Sequence, residues 1–110
     1  MTCGPGEDTR DPAQREFEAA VRLRPDHVDA LANLGQLLLG RGQLTEATAV
    51  FRRALGYSPG IAELHFLLAN SLYLAGKGQE ALVELQAAVR LKPGFAAAQD
   101  ALREITAARR

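Results

Sequence analysis

The sequence predicts an all-α protein, a right-handed α-solenoid of about six helices arranged in helix-turn-helix repeats of about 34 residues. The first observation is a repeated segment: AAVRLRP at residues 19–25 reappears as AAVRLKP at residues 87–93, two periods of 34 residues later. A weaker copy, RALGYSP, lies halfway between them, at residues 53–59. A fixed period of this length is typical of stacked helical repeats.

The second observation is that residues 28–61 align with residues 62–95 without a gap, with identical residues at eight positions. The identical positions are those where helix packing or chain reversal restricts the residue type. They are Leu34 and Leu68, Leu38 and Leu72, Gly42 and Gly76, Glu46 and Glu80, Ala47 and Ala81, Ala54 and Ala88, Pro59 and Pro93, and Gly60 and Gly94.

The helical part of the chain is predicted to begin at Asp11, because an aspartate cap followed by Pro12 is a strong helix start. The helix over residues 12–23 has the character of the second helix of a repeat. Residues 11–27 are therefore predicted to be a half repeat. The glycine-containing residues 1–10 are predicted to be a flexible N-terminal tail that cannot supply a first helix.

Residues 28–61 and 62–95 are each predicted to be a full repeat. In the first of them, apolar residues follow helical spacing, Gly40 and Gly42 then break the pattern, and a second apolar stripe runs until Pro59 ends it. Asp26 is predicted to cap the first helix.

Residues 96–110 are predicted to be a C-terminal capping helix, since the apolar stripe there is narrow and the remaining residues are mostly polar.

Small residues are predicted to let the two helices of each repeat approach closely. Gly35 and Ala69 lie midway along the first helices, where a bulky side chain would hold the second helix away. Ala47 and Ala81 are expected to face them.

Composition excludes several classes of function. The chain has 13 basic and 13 acidic residues, so no net charge favours nucleic acid or an anionic membrane. Cys3 is the single cysteine, which excludes an internal disulfide. No segment resembles a signal peptide or a membrane span, so a cytoplasmic location is expected.

No set of residues supports catalysis or metal binding, and no cofactor is expected. The chain has only two histidines, His27 and His65, and only two serines, Ser58 and Ser71, which do not suggest a nucleophile with a base. The sequences Gly40-Arg41-Gly42 and Gly76-Lys77-Gly78 lack the preceding strand and the spacing of a phosphate loop. We interpret them as turns.

The residues resemble the tetratricopeptide repeat family. The family's pattern of a large residue, Leu-Gly, an aromatic, Ala, an aromatic, Ala and Pro is similar to Leu31, Leu34-Gly35, Leu38, Ala47, Phe51, Ala54 and Pro59. The resemblance covers the chain from near Asp11 to the C-terminus. It implies a non-catalytic protein-protein interaction module whose first helices line a concave groove that binds a peptide or helix of a partner.

Counting helical faces from this resemblance gives the residues expected in the groove. The principal set is Asp29, Asn33, Gln36, Leu39, Glu63, Phe66, Asn70, Tyr73, Asp100 and Glu104. The same count places Ala32, Gly40, Leu67, Leu74 and Ala97 beside them. The set mixes apolar side chains with acids, so the expected ligand has apolar anchors and a neutral or basic character. Family members that hold a C-terminal carboxylate use Lys, Asn and Arg at positions that here carry mainly alanine and leucine, which argues against that specificity. A second specificity of the family, a continuous ladder of asparagines, also stops here after Asn33.

Two other functions remain open at this stage. Ala13, Phe17 and Ala20 would leave an apolar patch on the helix at residues 12–23, and a second copy of the chain could cover that patch to form a homodimer. Alternatively, the chain is a targeting domain cut from a larger protein whose chemistry lies elsewhere.

Overall fold

The computed structural model describes residues 11–108, and all the regular structure in this range is helical. The predicted tail at residues 1–10 lies outside the described residues. Six helices follow one another: α1 (Pro12–Leu23), α2 (Val28–Gly40), α3 (Leu44–Tyr57), α4 (Ala62–Leu74), α5 (Gly78–Leu91) and α6 (Ala96–Ala108). The chain is elongated, 54 × 28 × 18 Å, and each helix packs mainly against its neighbours in the chain. The predicted all-α solenoid is confirmed.

The helix starts confirm one predicted cap and correct another. The Oδ1 atom of Asp11 accepts hydrogen bonds from the backbone N–H groups of Ala13 and Gln14 at 2.8 and 3.2 Å, as predicted. The cap of α2 is His27, whose Nδ1 atom accepts from the N–H of Ala30 at 3.3 Å. The prediction of Asp26 was wrong because α2 begins at Val28, which leaves Asp26 one residue too early to cap it.

The turns inside both full repeats have the same left-handed geometry. Gly42 and Gly76 have φ angles of +78° and +83°, a region that side chains with a Cβ atom rarely adopt. The N–H of Gly42 donates to the carbonyl of Leu39 at 3.0 Å, and the N–H of Gln43 donates to that of Leu38 at 2.9 Å. This pair of bonds is the Schellman motif, and it satisfies the last carbonyls of the helix.

Within each full repeat, a large side chain of the second helix packs against a small residue of the first. A Cβ atom added to Gly35 would lie within 2.8 Å of three carbons of the Phe51 ring, and both residues are buried. The residue that fills the space beside Gly35 is therefore Phe51, whereas we expected Ala47. In the second repeat the equivalent positions carry Ala69 and Leu85, which are also buried.

Consecutive repeats are joined by a buried polar contact between α3 and α4. Ser71 is fully buried, and its Oγ atom lies 2.7 Å from the Oγ1 atom of Thr48. The same hydroxyl donates to the backbone carbonyl of Leu44 at 3.1 Å. A buried hydroxyl costs stability unless it is hydrogen-bonded, so these partners fix the register of α4 on α3.

A second polar network holds α1 against the end of α2. The guanidinium group of Arg41 donates to Oε1 of Gln14 at 3.1 Å and also pairs with the carboxylate of Asp11. Gln14 is buried, and its amide group donates to Glu18 at 3.1 Å. Asp11 thus caps α1 and links it to α2.

This network predicts an acid-sensitive α1. The N–H of Gln14 is the main cause that lowers the pKa of Asp11 below its ordinary value of 3.8, and the N–H of Ala13 and the charge of Arg41 add to it against an opposing effect of desolvation. Because the folded state favours the ionised form, the contribution of Asp11 to stability is present above pH 3.8 and is lost as the pH falls through the lowered pKa. We expect the amide protons of α1 to lose protection from exchange in that range.

The matched variant is Asp11→Asn, which still caps a helix but has no carboxylate to titrate. The protection factors of the Ala13 and Gln14 amides are the exchange rates corrected for the intrinsic effect of pH, and NMR can follow them from about pH 6 to about pH 2. They should depend on pH less in the variant than in the wild type. Equal profiles for the two proteins would contradict the role given to Asp11.

Candidate peptide-binding groove

A cleft between α2 and α4 brings together four residues of the principal set predicted for the groove, together with Ala32 and Leu67. Asp29, Asn33 and Gln36 line it from α2, and Glu63 lines it from α4. The remaining lining is apolar: Val28, Ala32, Ile61, Leu64 and Leu67. The cleft therefore offers two carboxylates and two side-chain amides around an apolar floor, a combination suited to an extended peptide.

Sequence reasoning missed Val28, Ile61 and Leu64 as lining residues. Leu64 belongs to the core stripe of α4, and Ile61 precedes that helix. Ile61 is partly exposed, whereas Leu64 is buried, and both line the cleft. An apolar residue just before a first helix was the available signal, since Phe95 occupies the same position one repeat later.

The acidic character of the groove is weaker than the sequence suggested. The Nζ atom of Lys92 lies 2.8 Å from Oε2 of Glu63, and this hydrogen bond is the main cause that lowers the pKa of Glu63. Asp100 pairs with Arg103 on α6. Asp29 is exposed and forms no ion pair with any residue of the range 11–108. Asp29 is therefore the carboxylate of the α2–α4 cleft that is most available to a basic ligand.

The aromatic residues of α4 differ in how much of each ring is available. Phe66 is half-buried, and its ring centroid lies 5.1 Å from that of Phe95, so this ring already packs against the chain that precedes α6. Lys92 covers the other ring, with Nζ 5.0 Å from the centroid of Phe95. Tyr73 is 47% exposed. Tyr73 is consequently the better candidate for an apolar anchor, and a binding role for Phe66 stays a prediction.

The other predicted groove residues lie on three different helices. Leu39 is half-buried and packs against the core at the end of α2, and Asn70 is half-buried on α4. Asp100 and Glu104 are exposed on α6. Their part in binding is a prediction, because the α2–α4 cleft includes none of them.

His65 takes part in a structural contact. Its Nδ1 atom lies 2.8 Å from the carboxylate of Glu84, and its Nε2 atom lies 2.9 Å from the carbonyl of Pro59. Gln99, one repeat later, likewise donates to the carbonyl of Pro93. The residue at this position therefore ties the start of a first helix to the loop before it.

Two further observations concern residues 11–108 as a whole. No group of three or more potential ligands from His, Cys, Asp and Glu is placed to hold a metal ion in this part of the chain. None of its helices is long and apolar enough to span a membrane.

The face predicted for self-association is partly open. Ala13 is exposed on α1, while Phe17 and Ala20 are half-buried and contact the core. The equivalent residues in the next repeat, Ala47 and Phe51, are fully buried. Association through this face stays a prediction.

Helix-turn-helix pairs of about 34 residues, stacked so that first helices line a concave cleft, define a helical-repeat protein of the solenoid class. Two tetratricopeptide repeat models match the chain, one at residues 10–60 and the other at residues 38–105. The chain belongs to the tetratricopeptide repeat family. Domains of this family are generally interaction modules, although some of them are parts of enzymes.

One curated relative is the protein O-mannosyl-transferase Tmtc1 of Drosophila melanogaster. It is 39% identical over 61 residues, which cover 56% of this chain and 7% of that protein. The chain thus corresponds to a small part of that relative's length.

Solved structures with the same fold include two peptide complexes. The first repeat domain of Spaghetti (RPAP3), bound to the HSP90 peptide SRMEEVD, has a TM-score of 0.84 and 15% identity, and the match covers 86% of this chain and 75% of that one. The Yersinia enterocolitica type III secretion chaperone SycD, bound to a peptide of the translocator YopD, has a TM-score of 0.82 and 18% identity, with 88% and 79% covered. At these identities the likeness shows the fold.

Proposed function

We propose that the protein is a non-catalytic interaction module that binds an extended peptide segment of a partner in the cleft between α2 and α4. The single observation that carries the proposal is the cleft itself, where Asp29, Asn33, Gln36 and Glu63 surround an apolar floor. That two proteins of the same fold bind peptides supports it. A cytoplasmic setting is part of the proposal.

The chemistry of the cleft indicates which peptide fits. Side-chain amides such as those of Asn33 and Gln36 both donate and accept hydrogen bonds, so they can pair with the backbone of an extended chain. Ala32 and Leu67 leave room for an apolar side chain on the floor. Asp29 lies at the rim with its carboxylate in solvent, where it favours a lysine or arginine of the ligand. The proposed ligand is therefore a peptide with one apolar anchor beside a basic residue.

The proposal can be tested with a displayed library of random nine-residue peptides (a length of about 30 Å when extended) selected on the full chain. We expect enrichment of peptides that carry an apolar residue next to a lysine or arginine. For an enriched peptide, Asp29→Lys should weaken binding about tenfold, since an attraction becomes a repulsion at the rim.

The matched control is Glu46→Lys. Glu46 is also an exposed acid in the first turn of its helix, α3, so the change in charge and the effect on the helix dipole are the same. Binding that falls equally in both variants would show a general charge effect and would contradict the groove. Enrichment of acidic peptides would contradict the proposed ligand.

A further inference from the structure

Helix α1 carries Ala13, Phe17 and Ala20 on one face, which we call the α1 face. The same pattern of alanine, large residue and alanine recurs at the same spacing in the other two second helices. It reads Ala47, Phe51 and Ala54 in α3, and Ala81, Leu85 and Ala88 in α5. All six of those residues are at most 1% exposed. On α1, in contrast, Ala13 is exposed and the other two are half-buried.

The difference follows from what packs on each second helix. Helix α3 lies between α2 and α4, and α5 lies between α4 and α6. Among the described helices, α1 packs mainly against α2. The α1 face therefore has the residues of a fully buried face, but none of the described helices buries it as α2 buries the equivalent face of α3.

The two full repeats show which kind of helix covers such a face. Phe51 is covered by α2, whose leucine stripe is interrupted by Gly35 at the place where the ring lies. Leu85 belongs to the second repeat, where α4 carries Ala69 at the same position. The larger second-helix side chain, Phe51, thus occurs with the smaller first-helix residue, Gly35. The smaller side chain, Leu85, occurs with the larger residue, Ala69. Because Phe17 is aromatic like Phe51, the fitting helix carries a glycine opposite Phe17.

The two surfaces of a second copy that lie nearest to this description do not fit it. Helix α6 is a first helix with no second helix of its own among the described residues, but it carries Arg103 where α2 carries Gly35. That arginine is exposed and pairs with Asp100. Its long side chain stands at the position where only a glycine leaves room for an aromatic ring. Two α1 faces packed about a two-fold axis at Phe17 would place the two rings against each other, which is large against large.

We propose that the α1 face binds an amphipathic helix of a partner protein with the pattern Leu-x-x-Leu-Gly-x-x-Leu, in which the glycine receives Phe17. Binding would complete a third repeat from two polypeptides. The apolar contact would remove Ala13, Phe17 and Ala20 from water, which is the main source of helix-in-groove affinity. This site is separate from the α2–α4 cleft, and neither needs the other.

The probe is a synthetic peptide with the sequence of α2, residues 28–40, carrying charged flanking residues for solubility and a fluorescent label. The full chain should bind it saturably, as measured by fluorescence anisotropy. A peptide with Gly35→Leu should bind at least about tenfold more weakly, since the added side chain would meet the aromatic ring.

Variants of the protein identify the surface. Ala13→Glu adds a charge to the α1 face at an exposed position, so α1 itself should keep its structure while peptide binding falls at least about tenfold. Ala49→Glu makes the same change at an exposed position of α3 and should bind like the wild type. Circular dichroism of both variants checks that helicity is retained.

Three results would overturn the proposal. One is the absence of saturable binding by the wild type, and another is equal binding of the two peptides. The third is a concentration-dependent dimer that Ala13→Glu abolishes while the peptide fails to bind, which would show that a second copy covers the face. The groove variant Asp29→Lys should bind the α2 peptide normally, so failure here and failure of the groove proposal can be told apart.

Discussion

Phe51→Ala is expected to lower the free energy of unfolding by about 3–5 kcal/mol, because it removes a fully buried ring and leaves a cavity beside Gly35. Phe17→Ala removes the equivalent ring from α1 and is expected to lower it by only about 1–2 kcal/mol, since that ring is half-buried. Urea denaturation followed by circular dichroism measures both losses, provided that the m-values are unchanged.

Leu85→Ala serves as the control for this comparison, since it is the same position in the second repeat and is fully buried. It should cost about 2–5 kcal/mol, close to Phe51→Ala. If Phe17→Ala proved as costly as Phe51→Ala, Phe17 would be covered in solution by something other than α2. The comparison therefore also tests the open state of the α1 face.

Gly35→Ala is expected to lower the free energy of unfolding by about 1–3 kcal/mol, although alanine is the better helix former by about 1 kcal/mol. The added Cβ atom would collide with the ring of Phe51. Adding Phe51→Leu should recover much of the loss, because the double variant recreates the pair Ala69 and Leu85 of the second repeat. A double-mutant cycle on the same denaturation curves gives the coupling energy between the two positions.

Additive losses in this cycle would contradict the pairing of residue sizes between the first and second helices. The control is Gly40→Ala, at the exposed end of α2, where an added Cβ atom would meet nothing within 4 Å. That change should leave stability unaltered or raise it by up to about 1 kcal/mol, since alanine is the better helix former. A large loss there would point to a general intolerance of α2 to substitution.

The fixed repeat period made most of the fold predictable, because the features it repeats depend on local chemistry. The left-handed turn at Gly42 and the cap at Asp11 each follow from short segments. The cap of α2 was missed because His27 and Asp26 are adjacent and only the final register of the helix decides between them. The contact of Gly35 with Phe51 depends on how the ring lies across the interface, which periodicity does not determine.

The residues of the cleft were predictable in part for the same reason. Helical counting placed Asp29, Asn33 and Gln36 on one face of α2, and the structure brings them together with Glu63. Counting could not show that Lys92 reaches Glu63, since that ion pair joins residues 29 positions apart through a flexible side chain. The spacing is close to one repeat, as is that of the pair between Arg52 and Glu80, and this is the signal that was available.

Two of the polar links between successive repeats, those of Ser71 and of Arg41, differ in burial, and this difference gives the solenoid a gradient of local stability. Ser71 is sealed from water at the centre of the molecule, whereas Arg41 and Asp11, which hold α1, are about one-third exposed. Since each helix depends mainly on its neighbours, α1 can open while the centre stays folded. A partner that binds α1 in its folded form would raise the free energy needed to open this helix. The local unfolding of α1 and the binding of the partner would therefore be coupled equilibria.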